Sequence, residues 1–179
     1  MSMVGFIKWA REQHDVECNQ RYATSFMEDI PYSFHLKAVA CQAKMFDYLL
    51  ANDSERTLAQ MGAWGHDLIE DARVTYNDIR NNWGQPLADI IYACTELRGR
   101  DRNERHGAEY FETLNANRLA VFVKLCDIIA NVTFSMLTGS TMYDKYRKEY
   151  PHMREELYDH TGEFEDMFLH LERLLEINK

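Results

Sequence analysis

Apolar residues recur at three- and four-residue intervals along most of this chain, the spacing that lays one stripe along a helix. Over Ser33–Ala51 the stripe is Leu36, Val39, Ala40, Ala43, Phe46 and Leu50, which predicts a helix with one buried face. The same spacing predicts a first helix from Val4 to about Cys18 and a long apolar one over Asn117–Leu137. An irregular stretch, Asn19–Tyr32, closed by Pro31, separates the first two. Ser54 or Thr57 would open a third helix running through Met61 and Trp64 into Gly65-His66-Asp67. Thr75 followed by Asp78 is a capping pattern for Tyr76–Trp83, which Gly84 would end. Pro86 suits the first turn of the next helix, where a missing N–H costs nothing, and that helix continues through Ile90, Ile91 and Ala93. Residues 98–105 contain no apolar side chain and read as an exposed loop. Thr141–Tyr150 would be helical up to Pro151, which would open a short helix His152–Tyr158. A last amphipathic helix, Glu163–Glu176, either caps the domain or forms part of a homodimer interface. With three prolines and eight glycines to interrupt it, the fold class is all-α.

A length of 179 residues suits one domain with a single sizeable core, and 46% hydrophobic residues place the chain among folded globular proteins. The charge of −9, from 29 acids against 20 bases, argues against a broad nucleic-acid or anionic-membrane surface but leaves room for a small basic pocket. Cys18, Cys41, Cys94 and Cys126 form no CxxC pair; three lie in apolar helical stretches and read as buried free thiols. The N-terminus becomes charged too early for a signal peptide, and no uninterrupted apolar run approaches the ~20 residues that span a bilayer. The expectation is a cytoplasmic protein without a membrane segment.

The chemistry concentrates at His66-Asp67, followed by Glu70-Asp71, with His35 upstream and Asp127 downstream. Two imidazoles and two carboxylates can hold one divalent cation and leave positions for water and a phosphate oxygen. That mixed donor set suits Mn²⁺, Fe²⁺ or Zn²⁺, with Mg²⁺ a further candidate. On a helix, His66 and Glu70 lie four apart, as do Asp67 and Asp71, so all four can border one cleft. Acids this close repel one another unless a cation offsets them. Trp64, Leu68 and Ile69 flank the His66-Asp67 pair, and Asp127 interrupts an apolar run, where a charge is costly unless paired or ligating. By contrast, His14-Asp15 falls at a helix position that reads as solvated surface.

These residues resemble the H…HD…D motif of the HD-domain phosphohydrolases. The segment His66-Asp67-Leu68-Ile69-Glu70-Asp71-Ala72-Arg73-Val74-Thr75 is similar to the HDxxEDTxxT segment of RelA/SpoT-type alarmone hydrolases. Pro31-Tyr32 through Ala40 resembles their PYxxHxxxVA segment, and Val123 through Asn131 their VKLADxxxN segment. The resemblance covers roughly residues 18–135, with the segment 141–177 supplying C-terminal helices. It implies one all-α HD-type bundle with the metal in a central cleft, of the small hydrolase-only kind. It also implies His35, His66, Asp67 and Asp127 as ligands of Mn²⁺, and Glu70 and Asp71 as the groups that position or activate water. Asn131 would contact the nucleotide, and Arg21, in the remnant Asn19-Gln20-Arg21 of an HxGQxR segment, would pack on the base. Ala72 stands where the family has threonine.

The reaction implied is removal of the 3′-pyrophosphate of guanosine tetra- or pentaphosphate, a small-molecule nucleotide. The alternatives are another nucleotide phosphohydrolase on the same core, or a non-catalytic nucleotide-binding regulator. Arg98, Arg100, Arg102 and Arg105 either grip substrate phosphates, Arg102 foremost, or form a solvated loop. Lys124 either reaches a phosphate or snorkels. Tyr143, Tyr146, Tyr150 and Tyr158 read as helix packing, and His106, His152, His160 and His170 as surface.

Overall fold

In the computed structural model, which describes residues 2–22, 29–96, 107–157 and 162–177, the helices follow the apolar stripes. α1 covers Met3–Glu12 and runs directly into a π-helical turn, Gln13–Glu17. α2 is Ser33–Met45 and α3 is Asp53–Gly65, with a 3-10 turn, Asp47–Leu49, between them. The short helices α4 (Leu68–Asp71), α5 (Tyr76–Trp83) and α6 (Gln85–Cys94) follow, then α7 (Ala108–Asn115). α8 spans Arg118–Thr138, α9 Met142–Glu156 and α10 Glu165–Leu174.

Local chemistry sets several boundaries. Thr75 and Asp78 form a reciprocal capping box at the start of α5, and Gly84, at φ 99°, ends it. Pro86 sits in the first turn of α6. α3 starts at Asp53, slightly before the expected residues, because the Asn52 side chain accepts the Glu55 N–H at 3.0 Å. The helix expected over Ser33–Ala51 stops at Met45, and the chain then turns so that Phe46 and Leu50 both enter the core. Pro151 does not separate two helices: α9 passes through it. Tyr150 and Leu157 are buried on either side and Met153 packs against the core, so tertiary contacts hold the helix where one backbone hydrogen bond is missing.

α8 is the axis of the fold. Its length and mean hydropathy of 1.7 would suffice to cross a membrane, yet 61% of its most apolar window is buried in the protein. α2, α3, α6, α7, α9 and α10 all pack on it. Leu125, Cys126 and Ile129 are fully covered, and α10 closes one side with Met167, Phe168 and Leu171. A second apolar cluster joins Phe6, Met61, Leu68, Ile79 and Ile91. The His66-Asp67 step lies between Ala63, in the first cluster, and Leu68, in the second, so both cores fix it.

Gly65 makes that junction possible. A Cβ there would stand 2.7 Å from Phe6 Cζ and 2.8 Å from Ile91 Cδ1. Gly65→Ala is therefore expected to destabilise the protein by about 1–3 kcal/mol and to displace the adjacent His66. Denaturant melts together with a divalent-metal titration check both effects.

Three surface or burial expectations are corrected. His14 is fully buried, and Asp15 accepts the Ser33 N–H at 2.9 Å, capping α2 from a distant part of the chain. Cys94 and Cys126 are buried, but Cys41 is exposed on the outer side of α2. His170 is half-buried, its ring edge-on to Phe46.

Candidate metal centre

α2 delivers His35, the α3–α4 junction His66 and Asp67, and α8 Asp127. His35 Nε2 lies 3.3 Å from His66 Nε2 and 3.2 Å from Asp127 Oδ1. Asp67 Oδ2 is 2.9 Å from His66 Nε2 and 3.7 Å from His35 Nε2. His35, His66 and Asp127 are all buried, with ligand atoms mutually within 4.8 Å. His66 Nδ1 faces the Ala63 carbonyl at 3.0 Å, so its N–H donates there and the Nε2 lone pair points at the cluster. The donors fit one divalent ion.

The electrostatics say the same. Burial disfavours a charged His66, but Asp67 and Asp127 outweigh it and raise its pKa to about 10. Burial likewise works against ionised Asp67, and His66 overrides it and holds the carboxyl well below the usual range. For Asp127, burial is opposed by Lys124, His35 and His66, and the net direction is also down. One buried and one largely covered carboxylate thus retain charge by holding positive charge close, a need that a cation meets without a proton.

The neighbouring shell is dense. Tyr32 donates its hydroxyl to Asp67 Oδ2 at 2.6 Å. Lys124 Nζ donates to Asp127 Oδ2 at 3.0 Å, and Asn131 Nδ2 to Asp127 Oδ1 at 2.6 Å. Glu70 reaches solvent at the rim, and its Oε2 accepts the Glu96 N–H at 3.1 Å. Burial, reinforced by the nearby Asp67 and Glu96 carboxylates, pushes Glu70 up to about 7. Asp71 accepts from the Gln20 side-chain amide at 2.9 Å.

A cavity of about 310 Å³ opens beside these groups. Lys124, Asp127 and Asn131 form one wall, and Tyr110, Tyr146 and Tyr150 stand among the rest. Tyr143, Tyr146 and Tyr150 serve packing, as expected, Tyr143 and Tyr150 donating to the carbonyls of Leu174 and Phe168, and Tyr146 and Tyr150 also line the cavity. His152 is exposed at its edge. Arg21 is not brought to the site: its guanidinium donates to the carbonyls of Asp15 and Gln20. Tyr22 stands there instead, stacked on His35 at 5.3 Å with its hydroxyl donating to Asn131 Oδ1 at 3.4 Å. Arg98, Arg100, Arg102 and Arg105, with His106, Tyr158 and His160, lie outside the described residues. Sequence reasoning missed Tyr22, Tyr32 and His14. Tyr32 could have been found, since it falls inside the segment that carries the His35 resemblance.

Fold and residue set define the class: an all-α helical bundle with a candidate metal site of two histidines and two aspartates in its central cleft. No family model matches the chain. It is 30% identical over 122 residues to the bifunctional (p)ppGpp synthase/hydrolase SpoT of Escherichia coli K12, a match covering 66% of this chain and 16% of that protein. Guanosine-3′,5′-bis(diphosphate) 3′-pyrophosphohydrolase of Escherichia coli O157:H7 gives the same figures, so the match spans only 16% of the length of these curated relatives. In three dimensions the chain is similar to a metazoan orthologue of SpoT described as hydrolysing ppGpp and playing a role in starvation responses. That likeness has a TM-score of 0.75 at 19% identity, covering 97% of this chain and 93% of that one, and it establishes the shared fold.

Proposed function

We propose that the protein is a divalent-metal-dependent pyrophosphohydrolase that removes the 3′-pyrophosphate of guanosine tetra- or pentaphosphate. One observation carries this reading: two histidines and two aspartates converge in a buried cleft, with Glu70 and Asp71 on the next turn and a cavity alongside. The similarity to SpoT and to the 3′-pyrophosphohydrolase supports the substrate class.

His35, His66, Asp67 and Asp127 would hold the ion; two imidazoles among carboxylates suit Mn²⁺, Fe²⁺ or Zn²⁺ better than Mg²⁺, and the resemblance to the alarmone hydrolases favours Mn²⁺. A divalent ion held there would lower the pKa of a bound water and polarise a phosphate. Glu70 takes the water's proton, and Asp71, on the same short helix, helps orient that water. Lys124 sits where it offsets charge on both Asp127 and an incoming phosphate. Asn131 donates to Asp127, accepts from Tyr22 and lines the cavity. The cavity, about 310 Å³, lies at the lower end of the ~300–1,000 Å³ usual for ligand pockets and suits a nucleoside.

A rival reading, a phosphohydrolase for another nucleotide, draws on one fact: Arg21, expected on the base, is turned away. Purified protein with Mn²⁺ should be offered ppGpp, ppApp, GTP, NADPH and deoxynucleoside monophosphates. Pyrophosphate release from ppGpp supports the proposal; turnover of deoxynucleoside monophosphates alone leaves the metal site and removes the alarmone assignment.

A pH dependence follows from Glu70. Its carboxyl is raised to about 7, so it is protonated below that value and ionised above it. A base must be ionised, so kcat/KM is expected to rise with pH around a midpoint at or below about 7, since a bound cation moves the limb lower, and to level off about one pH unit above that midpoint. The pH–rate profile checks this, and Glu70→Gln should erase the limb.

A further inference from the structure

His14 is fully buried, yet it is no ordinary core residue. Its Nδ1 is 2.6 Å from Gln20 Oε1, and the Gln20 amide nitrogen is 2.9 Å from Asp71 Oδ2. Its ring stacks on Tyr32, with centroids 4.9 Å apart and planes at 24°, and the Tyr32 hydroxyl donates to Asp67 at 2.6 Å. His14 Nε2 is buried without a hydrogen-bond partner. The chain has been bent to build this arrangement. The π-helical turn Gln13–Glu17 and Asn19 at φ 48° return the backbone on itself, and Gln20 N donates to the His14 carbonyl at 2.8 Å.

Hydrogen-bond chemistry fixes the direction of the chain. A carboxylate only accepts, so the Gln20 NH₂ must face Asp71 and its oxygen must face His14. His14 Nδ1 then has to carry the proton, which leaves Nε2 as the unpartnered lone pair. The opposite tautomer would oppose two lone pairs at 2.6 Å and bury an N–H donor with no acceptor. Burial, the leading influence on this imidazole, keeps it neutral by lowering its pKa.

We propose that His14 is a positioning residue for the site. Through Gln20 it holds Asp71, and through the ring of Tyr32 it braces Asp67, so one buried imidazole orients two acids of the His66–Asp71 segment. Asp71 is exposed, and the Gln20 amide is what restrains its side chain. The catalytic half of this inference rests on the pyrophosphohydrolase reading; the hydrogen-bond chain does not.

Two measurements test it. The ¹⁵N NMR spectrum of the imidazoles should show His14 neutral with its proton on Nδ1; a proton on Nε2, or a doubly protonated ring, overturns the inference without any substrate. In kinetics, His14→Phe keeps a ring against Tyr32 but removes the donor to Gln20. It should lower kcat about ten- to a hundredfold with KM and Mn²⁺ affinity near wild type. Gln20→Leu, at a less buried position, should reproduce that loss. Adding His14→Phe to Asp71→Asn should cost nothing further, because both act through one carboxylate. Wild-type kcat in His14→Phe, or losses that multiply with Asp71→Asn, overturns the proposal. If wild-type protein leaves ppGpp intact, the function reading fails, and the tautomer still decides whether the chain exists.

Discussion

Asp67→Ala is expected to abolish turnover and metal-induced stabilisation together. Asp67 Oδ2 stands 2.9 Å from His66 Nε2 and 3.7 Å from His35 Nε2, among the candidate ligand atoms. The substitution removes one ligand and also leaves the Tyr32 hydroxyl without its acceptor. In wild-type protein, metal at a hundredfold excess over its Kd stabilises the native state by about 2.7 kcal/mol, since only the folded chain assembles the donors. Thermal melts with and without Mn²⁺ should show a clear shift for wild type and little for Asp67→Ala. A metal-free melt near wild type for the variant would show that the loss belongs to the site and not to the fold. A full metal-induced shift in Asp67→Ala would remove this residue from the ligand set.

Glu70→Gln separates binding from chemistry. Its Oε2 accepts from the Glu96 N–H at 3.1 Å. The glutamine keeps that acceptor and the shape but cannot take a proton. Loss of a general base costs about 10²–10⁴ in rate. The expected pattern is a fall of that size in kcat with Mn²⁺ affinity and KM little altered. A fall in metal affinity parallel to kcat would make Glu70 a ligand; an unchanged kcat would end its assignment as base.

Much of the site was readable because polar residues interrupt apolar runs. Asp127 between Cys126 and Ile128, and His66-Asp67 ahead of Leu68 and Ile69, are positions where charge or polarity needs a buried partner, and the structure brings them together with His35. Helix ends were readable wherever the signal is local, as at Thr75, Asp78 and Gly84. What was not readable depends on tertiary contacts. Pro151 stays inside α9 because Tyr150 and Leu157 are buried around it, which no local rule reports. His14-Asp15 looked like surface because its partners, Gln20, Tyr32 and Ser33, reach it only after a π-helical turn has redirected the chain. That same turn sends Arg21 outward and brings Tyr22 against His35, an exchange that one residue of register decides.

In the proposed reaction water attacks phosphorus at the 3′-diphosphate, and hydrolysis of ppGpp in H₂¹⁸O with the Mn²⁺-loaded protein tests that directly. Attack at the phosphorus bonded to the 3′-oxygen breaks the P–O bond, so one ¹⁸O is expected in the released pyrophosphate and none in the GDP. Label in the nucleoside product, or release of orthophosphate in place of pyrophosphate, would contradict it.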